Sequence, residues 1–195
     1  MSKPLLFVIT GRPASGKTTL ARQLAVDLRL PLIHKDGLKE SLYDTLGASN
    51  RVESRRLGMA TYHLQRVIAG EFLHAGVSLI LESNFSEAYD GAPLRALAHA
   101  HSALVAQVWL TGESHALVER FERRARSPER HPGHMELANI AEFRQALLEP
   151  CDAPLALPGP ILAMDTTDLR TMDYAAALGF VRMALGGAID VGGSS

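Results

Sequence analysis

Cysteine occurs only once in the 195 residues, as Cys151, so no intrachain disulfide can form and a reducing compartment is the simplest home. Charge of one sign is lacking too. Lys and Arg number 20 against 21 Asp and Glu, a formal net charge of −1, so nothing in the overall charge requires a nucleic-acid partner. No apolar run approaches the ~20 residues that a membrane-spanning helix needs. Met1-Ser2-Lys3-Pro4 leads into an apolar segment without the pattern of a secretory signal. These features predict a cytoplasmic protein with no membrane partner. Internal repeats are missing, and the one low-complexity stretch is the Gly/Ser-rich end from Gly186, expected to be a frayed tail over 186–195. Apolar residues at 47% and charged residues at 21% suit one globular domain, placed at 1–185.

Apolar runs of strand length alternate with helical periodicity. Strands are expected at Leu5–Ile9, Pro31–His34, Val77–Leu81, Ala103–Leu110 and Ile161–Met164. Helices are expected at Leu20–Leu28, Leu38–Leu46, Val52–Ala75, Leu94–His101, Ser114–Arg126, Leu137–Leu148 and Tyr174–Leu185. Trp109, inside the fourth strand, reads as core. Such alternation predicts an α/β fold, a parallel sheet covered by helices on both sides. Ligands of such sheets gather at the carboxyl ends of the strands.

At the first of those ends stands Gly11-Arg12-Pro13-Ala14-Ser15-Gly16-Lys17-Thr18-Thr19, the pattern G-x-x-x-x-G-K-[ST] between a strand and a helix. Gly11 and Gly16 let the backbone curl with its amides inward, and the following helix adds the positive end of its dipole. Lys17 can reach the β- and γ-phosphates of a nucleoside triphosphate, and the Thr18 hydroxyl can ligate Mg²⁺. No Asn-Lys-x-Asp guanine-specificity motif is present.

Other strand ends carry further candidates. Asp36 has two readings, a helix cap or a carboxylate that accepts the proton of an attacking hydroxyl. Glu82 reads as a residue orienting Mg²⁺ through water or as a solvated strand exit, and Asn84 as a substrate contact or a turn-former. Arg120, Arg123, Arg124, Arg126 and Arg130, followed by His131-Pro132-Gly133-His134, read as a lid over about 120–136 or as a salt-bridged surface helix. In the lid reading, Arg120, Arg124 and Arg130 neutralise a transferring phosphoryl group. The two histidines alone make a weak metal site and suit loop packing better. Arg55, Arg56 and His63 are candidates for an anionic substrate, with solvated positions as the bland alternative, and Arg56 is carried forward as a substrate residue.

With GRPASGKTT, Lys35-Asp36 before Leu38-Lys39-Glu40, and Arg130-His131-Pro132-Gly133-His134 in hand, the chain resembles small ATP-dependent P-loop kinases of the AAA-type ATPase or predicted-kinase group. That group is similar to the kinase domain of polynucleotide kinase, chloramphenicol phosphotransferase, gluconate kinase and zeta-toxin kinases. The resemblance runs from Leu5 to about Leu185. It implies a three-layer P-loop NTPase fold with strand order 2-3-1-4-5. It also implies ATP with Mg²⁺ as donor, and a hydroxyl of a small molecule or nucleic-acid end as acceptor. Asp165-Thr166-Thr167 resembles the loop that packs near the adenine in such kinases, which makes Asp165 and Thr166 nucleotide contacts. Glu82-Ser83-Asn84 stands where polynucleotide kinases carry Asp-x-x-Asn. The competing expectation is a P-loop ATPase that acts as a nucleotide-dependent switch or assembly factor. An arginine-rich lid within the chain favours the self-contained kinase.

Overall fold

The computed structural model describes residues 3–149 and 153–190; Cys151 and the tail beyond 190 lie outside them. Five parallel strands, β1 (Leu5–Gly11), β2 (Leu32–His34), β3 (Leu79–Glu82), β4 (Leu104–Thr111) and β5 (Ile161–Asp165), form one sheet in the order β2-β3-β1-β4-β5. This is the expected order, with helices on both faces.

Central β1 explains the layering. Its side chains alternate between two apolar faces, both buried. Leu5, Phe7 and Ile9 pack with Leu20, Ala21 and Leu24 of α1 (Lys17–Leu28) and with Ala177 and Val181 of α7 (Tyr174–Asp190). Leu6 and Val8 face the other way, toward Ala69 and Leu73 of α3 (Arg51–His74) and Leu94 and Ala98 of α4 (Ala92–Ala100). A third, smaller cluster joins Leu117, Val118, Phe121 and Ala125 of α5 (Ser114–Ala125) to Leu147 of α6 (Ile140–Leu148). Between β2 and α3 lies α2 (Lys35–Leu46).

Register brings the strand ends level. Ile9 and His34 both pair with Glu82, so the phosphate loop, the start of α2 and the end of β3 meet at one edge. Several boundaries depart from expectation, with α2 beginning at Lys35 rather than Leu38 and α6 at Ile140 rather than Leu137. Helix α1 begins at Lys17 rather than Leu20, because its first turn is the polar end of the glycine-rich loop and carries no apolar period. Helix α7 continues past Gly186 to Asp190; no proline interrupts it, and Gly186 and Gly187, at ~1 kcal/mol of helix propensity each, weaken the helix without ending it. Trp109 is half-buried rather than core, and borders a small cavity behind the phosphate loop. Among the described residues, no helix is long and apolar enough to cross a membrane.

Candidate functional site

The loop Gly11–Thr19 is built for close approach. Gly11 has φ +145°, and a Cβ there would strike the Leu110 carbonyl. Gly16 caps α1 in the left-handed region at φ 87°, with no side-chain cap, so the first-turn amides are left for a ligand. Ser15 Oγ is buried and has no hydrogen-bond partner. Lys17 Nζ donates to the Arg12 carbonyl at 2.7 Å. Burial lowers the Lys17 pKa from the usual 10.5 to about 8, against the opposing pull of Glu82 and Asp36. An orphaned hydroxyl, uncapped amides and a desolvated cation together fit a polyphosphate.

Beside them, Thr18 Oγ1 donates to Glu82 Oε2 at 3.1 Å. Glu82 is only 3% exposed, and burial pushes its carboxyl up even though Lys17 and the Thr18 hydrogen bond pull it down. A hydroxyl and a desolvated carboxylate side by side are hard oxygens, the donor set Mg²⁺ takes when phosphates and water complete its shell. Thr18 and Glu82 are the residues that would hold it. No group of three or more His, Cys, Asp or Glu gathers for a metal among the described residues.

Asp36 is not the helix cap. His34 takes that place, its Nδ1 accepting from the Gly37 amide at 3.0 Å, so the Asp36 carboxylate is left for other partners. Arg130 donates to it at 3.3 Å, and His134 Nδ1 lies 4.0 Å away. Burial pushes the Asp36 carboxyl up, but His134, Arg130, Lys35 and Arg124 outweigh it and hold the pKa at about 2. Two clefts, each of about 650 Å³, meet here. Both are lined by Lys17, Thr18, Asp36, Arg124 and Arg130. One extends between α2 and α3 past Asn84 and Glu82; the other runs over Gly16 toward Arg120 and Leu169.

One carboxylate joins Arg124 and Arg130. Glu136, 6% exposed, accepts from Arg124 at 2.7 Å and from Arg130 at 2.6 and 2.9 Å. His131 and His134 bind no metal-like cluster; they reach Asp44 at 3.0 Å and Glu40 at 2.8 Å and fasten this segment to α2. Arg120 Nη1 and Nη2 and Arg124 Nε are buried without partners, so donors remain for an incoming anion.

Several sequence candidates sit differently from expectation. Arg56 is exposed and lines neither cleft, whereas Arg51, Ser54 and Arg55 of the same helix line the α2–α3 cleft, with Arg51 and Arg55 reaching Glu142 of α6. Arg12 sends its guanidinium away from the phosphate hollow, to the Ala146 and Glu149 carbonyls and the Ser114 hydroxyl, leaving only its backbone for nucleotide. Asp165 accepts from the Thr167 amide and hydroxyl, and buried Thr166 gives its hydroxyl to the Thr111 carbonyl. Neither lines the clefts; Arg120 and Leu169 do. Asn84 Oδ1 accepts from Lys35 and Tyr62, both at 3.2 Å, which leaves its amide nitrogen to donate into the cleft.

Sequence reasoning missed several buried polar residues, Gln65, Lys39, Ser54 and Glu136 among them. Gln65 donates to the Ile33 and Glu82 carbonyls and so fixes the strand ends that carry the acidic residues. Lys39 and Ser54 form a chain from α2 through α3 to the Gly133 carbonyl. The available signal was weak: Lys39 follows Lys35 and Asp36 by one helical turn and Ser54 follows Asn50 and Arg51, and on such a face a polar residue ordinarily reads as solvated.

Residues 6–150 match the family model described as AAA domain. A candidate kinase from Chloroflexus aurantiacus J-10-fl is 37% identical; the match covers 93% of this chain and 98% of that one, with TM-score 0.84. Two more distant structures share the fold. They are a gluconokinase from Sinorhizobium meliloti 1021 (20% identity, 98% and 95% covered, TM-score 0.53) and Chaetomium thermophilum Kti12 in complex with ADP-AlF3 (23%, 92% and 98%, 0.60). No curated protein matches the chain.

Proposed function

The chain belongs to the AAA domain family, and from that premise we propose that it is an ATP-dependent phosphotransferase with an alcohol as acceptor. The observation that carries this reading is the position of Asp36, which lines the phosphate-loop cleft and the α2–α3 cleft at once. A hydroxyl resting on Asp36 lies at the junction where the γ-phosphoryl group would project from the loop. The acceptor oxygen bonds to the γ-phosphorus as the bridge to the β-phosphate breaks. ADP departs, and the hydroxyl proton passes to Asp36. With its pKa held at about 2, Asp36 is a weak base that orients the hydroxyl and takes the proton late, which suits a loose transition state. Lys17 and the lid arginines Arg124 and Arg130 balance the charge on the transferring group. Mg²⁺, held by Thr18 and Glu82, would supply further neutralisation of the phosphates.

The named kinase relative supports the reading, and so do the orphaned donors of Arg120 and Arg124 on the arm formed by α5, α6 and the turn between them, which need no partner protein to complete the site. Its test is ATP turnover with and without a library of hydroxyl compounds, in the parent and in Asp36→Asn. An acceptor should stimulate the parent. The variant should keep nucleotide affinity within about twofold yet lose transfer by about 10²–10⁴-fold, the usual share of a positioned proton acceptor. Stimulation by a protein alone would instead mark a nucleotide-dependent switch. Full transfer by Asp36→Asn would remove Asp36 from the acceptor role.

A further inference from the structure

The wall between α2 and α3 has more positive charge than its carboxylates balance, although the whole chain is near neutral. Lys39 is 7% exposed, yet its ammonium meets only a neutral partner, the Ser54 hydroxyl at 2.9 Å. Lys35 likewise rests on the Asn84 amide oxygen at 3.2 Å and over the Tyr62 ring at 4.6 Å. Among the described residues, no carboxylate lies within 4 Å of either lysine. Arg51 and Arg55 share one carboxylate oxygen, that of Glu142, at 2.9 and 2.6 Å, and Arg51 Nε is buried with no partner at all. All four cations line the cleft that ends on Asp36. The nearby acids are engaged elsewhere: Asp36 and Glu40 with Arg130 and His134, and Glu136 with Arg124 and Arg130.

A buried ammonium without a counter-charge is costly, and several cations sharing one cavity compound the cost. Burial lowers the Lys39 pKa to about 8, and the neighbouring charges of Lys35 and Arg51 push the same way. An incoming anion would reverse each of these penalties.

We propose that Lys35, Lys39 and Arg51 form a subsite for an oxyanion of the acceptor, which is therefore a small alcohol bearing a phosphate or carboxylate group. The proposal rests on the phosphotransferase reading for the word acceptor, while the anion subsite is testable without turnover. Asp36 and Lys39 stand three residues apart on α2, so their side chains start about 5–6 Å from each other on one helix face.

The experiment first fills the phosphate loop with a non-hydrolysable ATP analogue and Mg²⁺, so that added anions have only the cleft to enter. Inorganic phosphate and malonate are then titrated by calorimetry, and the tighter of the two identifies the group as phosphate or carboxylate. At least one should bind the loaded parent protein. Lys39→Gln should weaken that binding about tenfold or more, as loss of a charge-assisted hydrogen bond does. Lys39→Arg should retain it, and Arg56→Ala, outside the cleft, should leave it unchanged. Lys35→Gln, at a more accessible position, should weaken it as well and provides the answer if Lys39→Gln does not fold. Absence of binding by both anions, or equal binding in Lys39→Gln, overturns the subsite. A protein that phosphorylates neutral alcohols but binds neither anion would sink this inference and leave the phosphotransferase reading standing. The reverse, anion binding lost in Lys39→Gln without transfer to any acceptor, would support the subsite and count against that reading.

Discussion

Lys17 shows how burial prepares a residue for its ligand. Its folded pKa of about 8 lies below the usual 10.5, because burial disfavours the charged amine. Its contribution to stability is present above 10.5 and is lost as pH falls through about 8, which means that at neutral pH the charged amine is a burden on the empty protein. A bound triphosphate places negative charge beside Nζ and raises that pKa again. Nucleotide affinity should therefore be greatest below pH 8 and fall above it, because binding must then draw in a proton. Calorimetry at pH 9 in two buffers of different protonation enthalpy should report that proton uptake, and Lys17→Met should remove it. Binding without proton uptake at pH 9 would mean that the phosphates do not meet this amine. Lys39 has the same depressed value but lies on the far side of Asp36, so the Lys17 variant tells the two apart.

Among the elements, α5 and the turn after it carry the cations proposed to act on the transferring charge. Arg124 and Arg130 both lean on Glu136, while Arg126 pairs with Glu122 at the surface. Arg124→Ala and Arg130→Ala should each lower kcat on the order of 10²–10³-fold with a smaller effect on nucleotide affinity. Arg126→Ala, whose pair is solvent-exposed, should stay within about twofold. If Arg124→Ala and Arg130→Ala both keep kcat within tenfold of the parent, the segment is only a surface helix. Sequence periodicity revealed these elements unevenly. It located the sheet strands and the apolar stretches of α1, α3 and α5, because those residues face a core. It could not show that Lys39, Ser54 and Gln65 point inward, since that depends on α2 packing against α3 and on which carbonyls the strand ends leave open. Glu136 was equally hidden: only the fold of the turn brings it between two arginines 12 and 6 residues earlier. The phosphate loop was legible because its conformation is local, whereas the acceptor wall depends on tertiary packing.

At the scale of the whole molecule, the site sits between two groups of elements whose apolar clusters differ in size. The sheet and its flanking helices share two large apolar clusters, while α5 and α6 depend on a third that is small and touches the phosphate loop through Ala14. Arg12 bridges the two groups. From inside the loop its guanidinium binds the Ser114 hydroxyl at 3.3 Å, the Ala146 carbonyl at 2.8 Å and the Glu149 carbonyl at 3.0 Å. A cation there satisfies carbonyls that the C-terminus of α6 leaves without helical partners, and it meets the negative end of the helix dipole. Hydrogen bonds to a charged group contribute about 1.5–3 kcal/mol each, so this bridge is a substantial part of what keeps the arm on the loop. Arg12→Ala should therefore speed amide hydrogen exchange in α5 and α6 by about tenfold or more while β1, β3 and β4 exchange as before. Because the same residue shapes the loop, nucleotide should bind more weakly, and saturating nucleotide should restore part of the lost protection by re-engaging Arg120 and Arg124 from the other side. Exchange measured by mass spectrometry, with and without nucleotide, separates the possibilities. A uniform rise across the sheet would show that Arg12 supports the entire fold, and an unchanged α5–α6 pattern would show that the small apolar cluster holds the arm unaided.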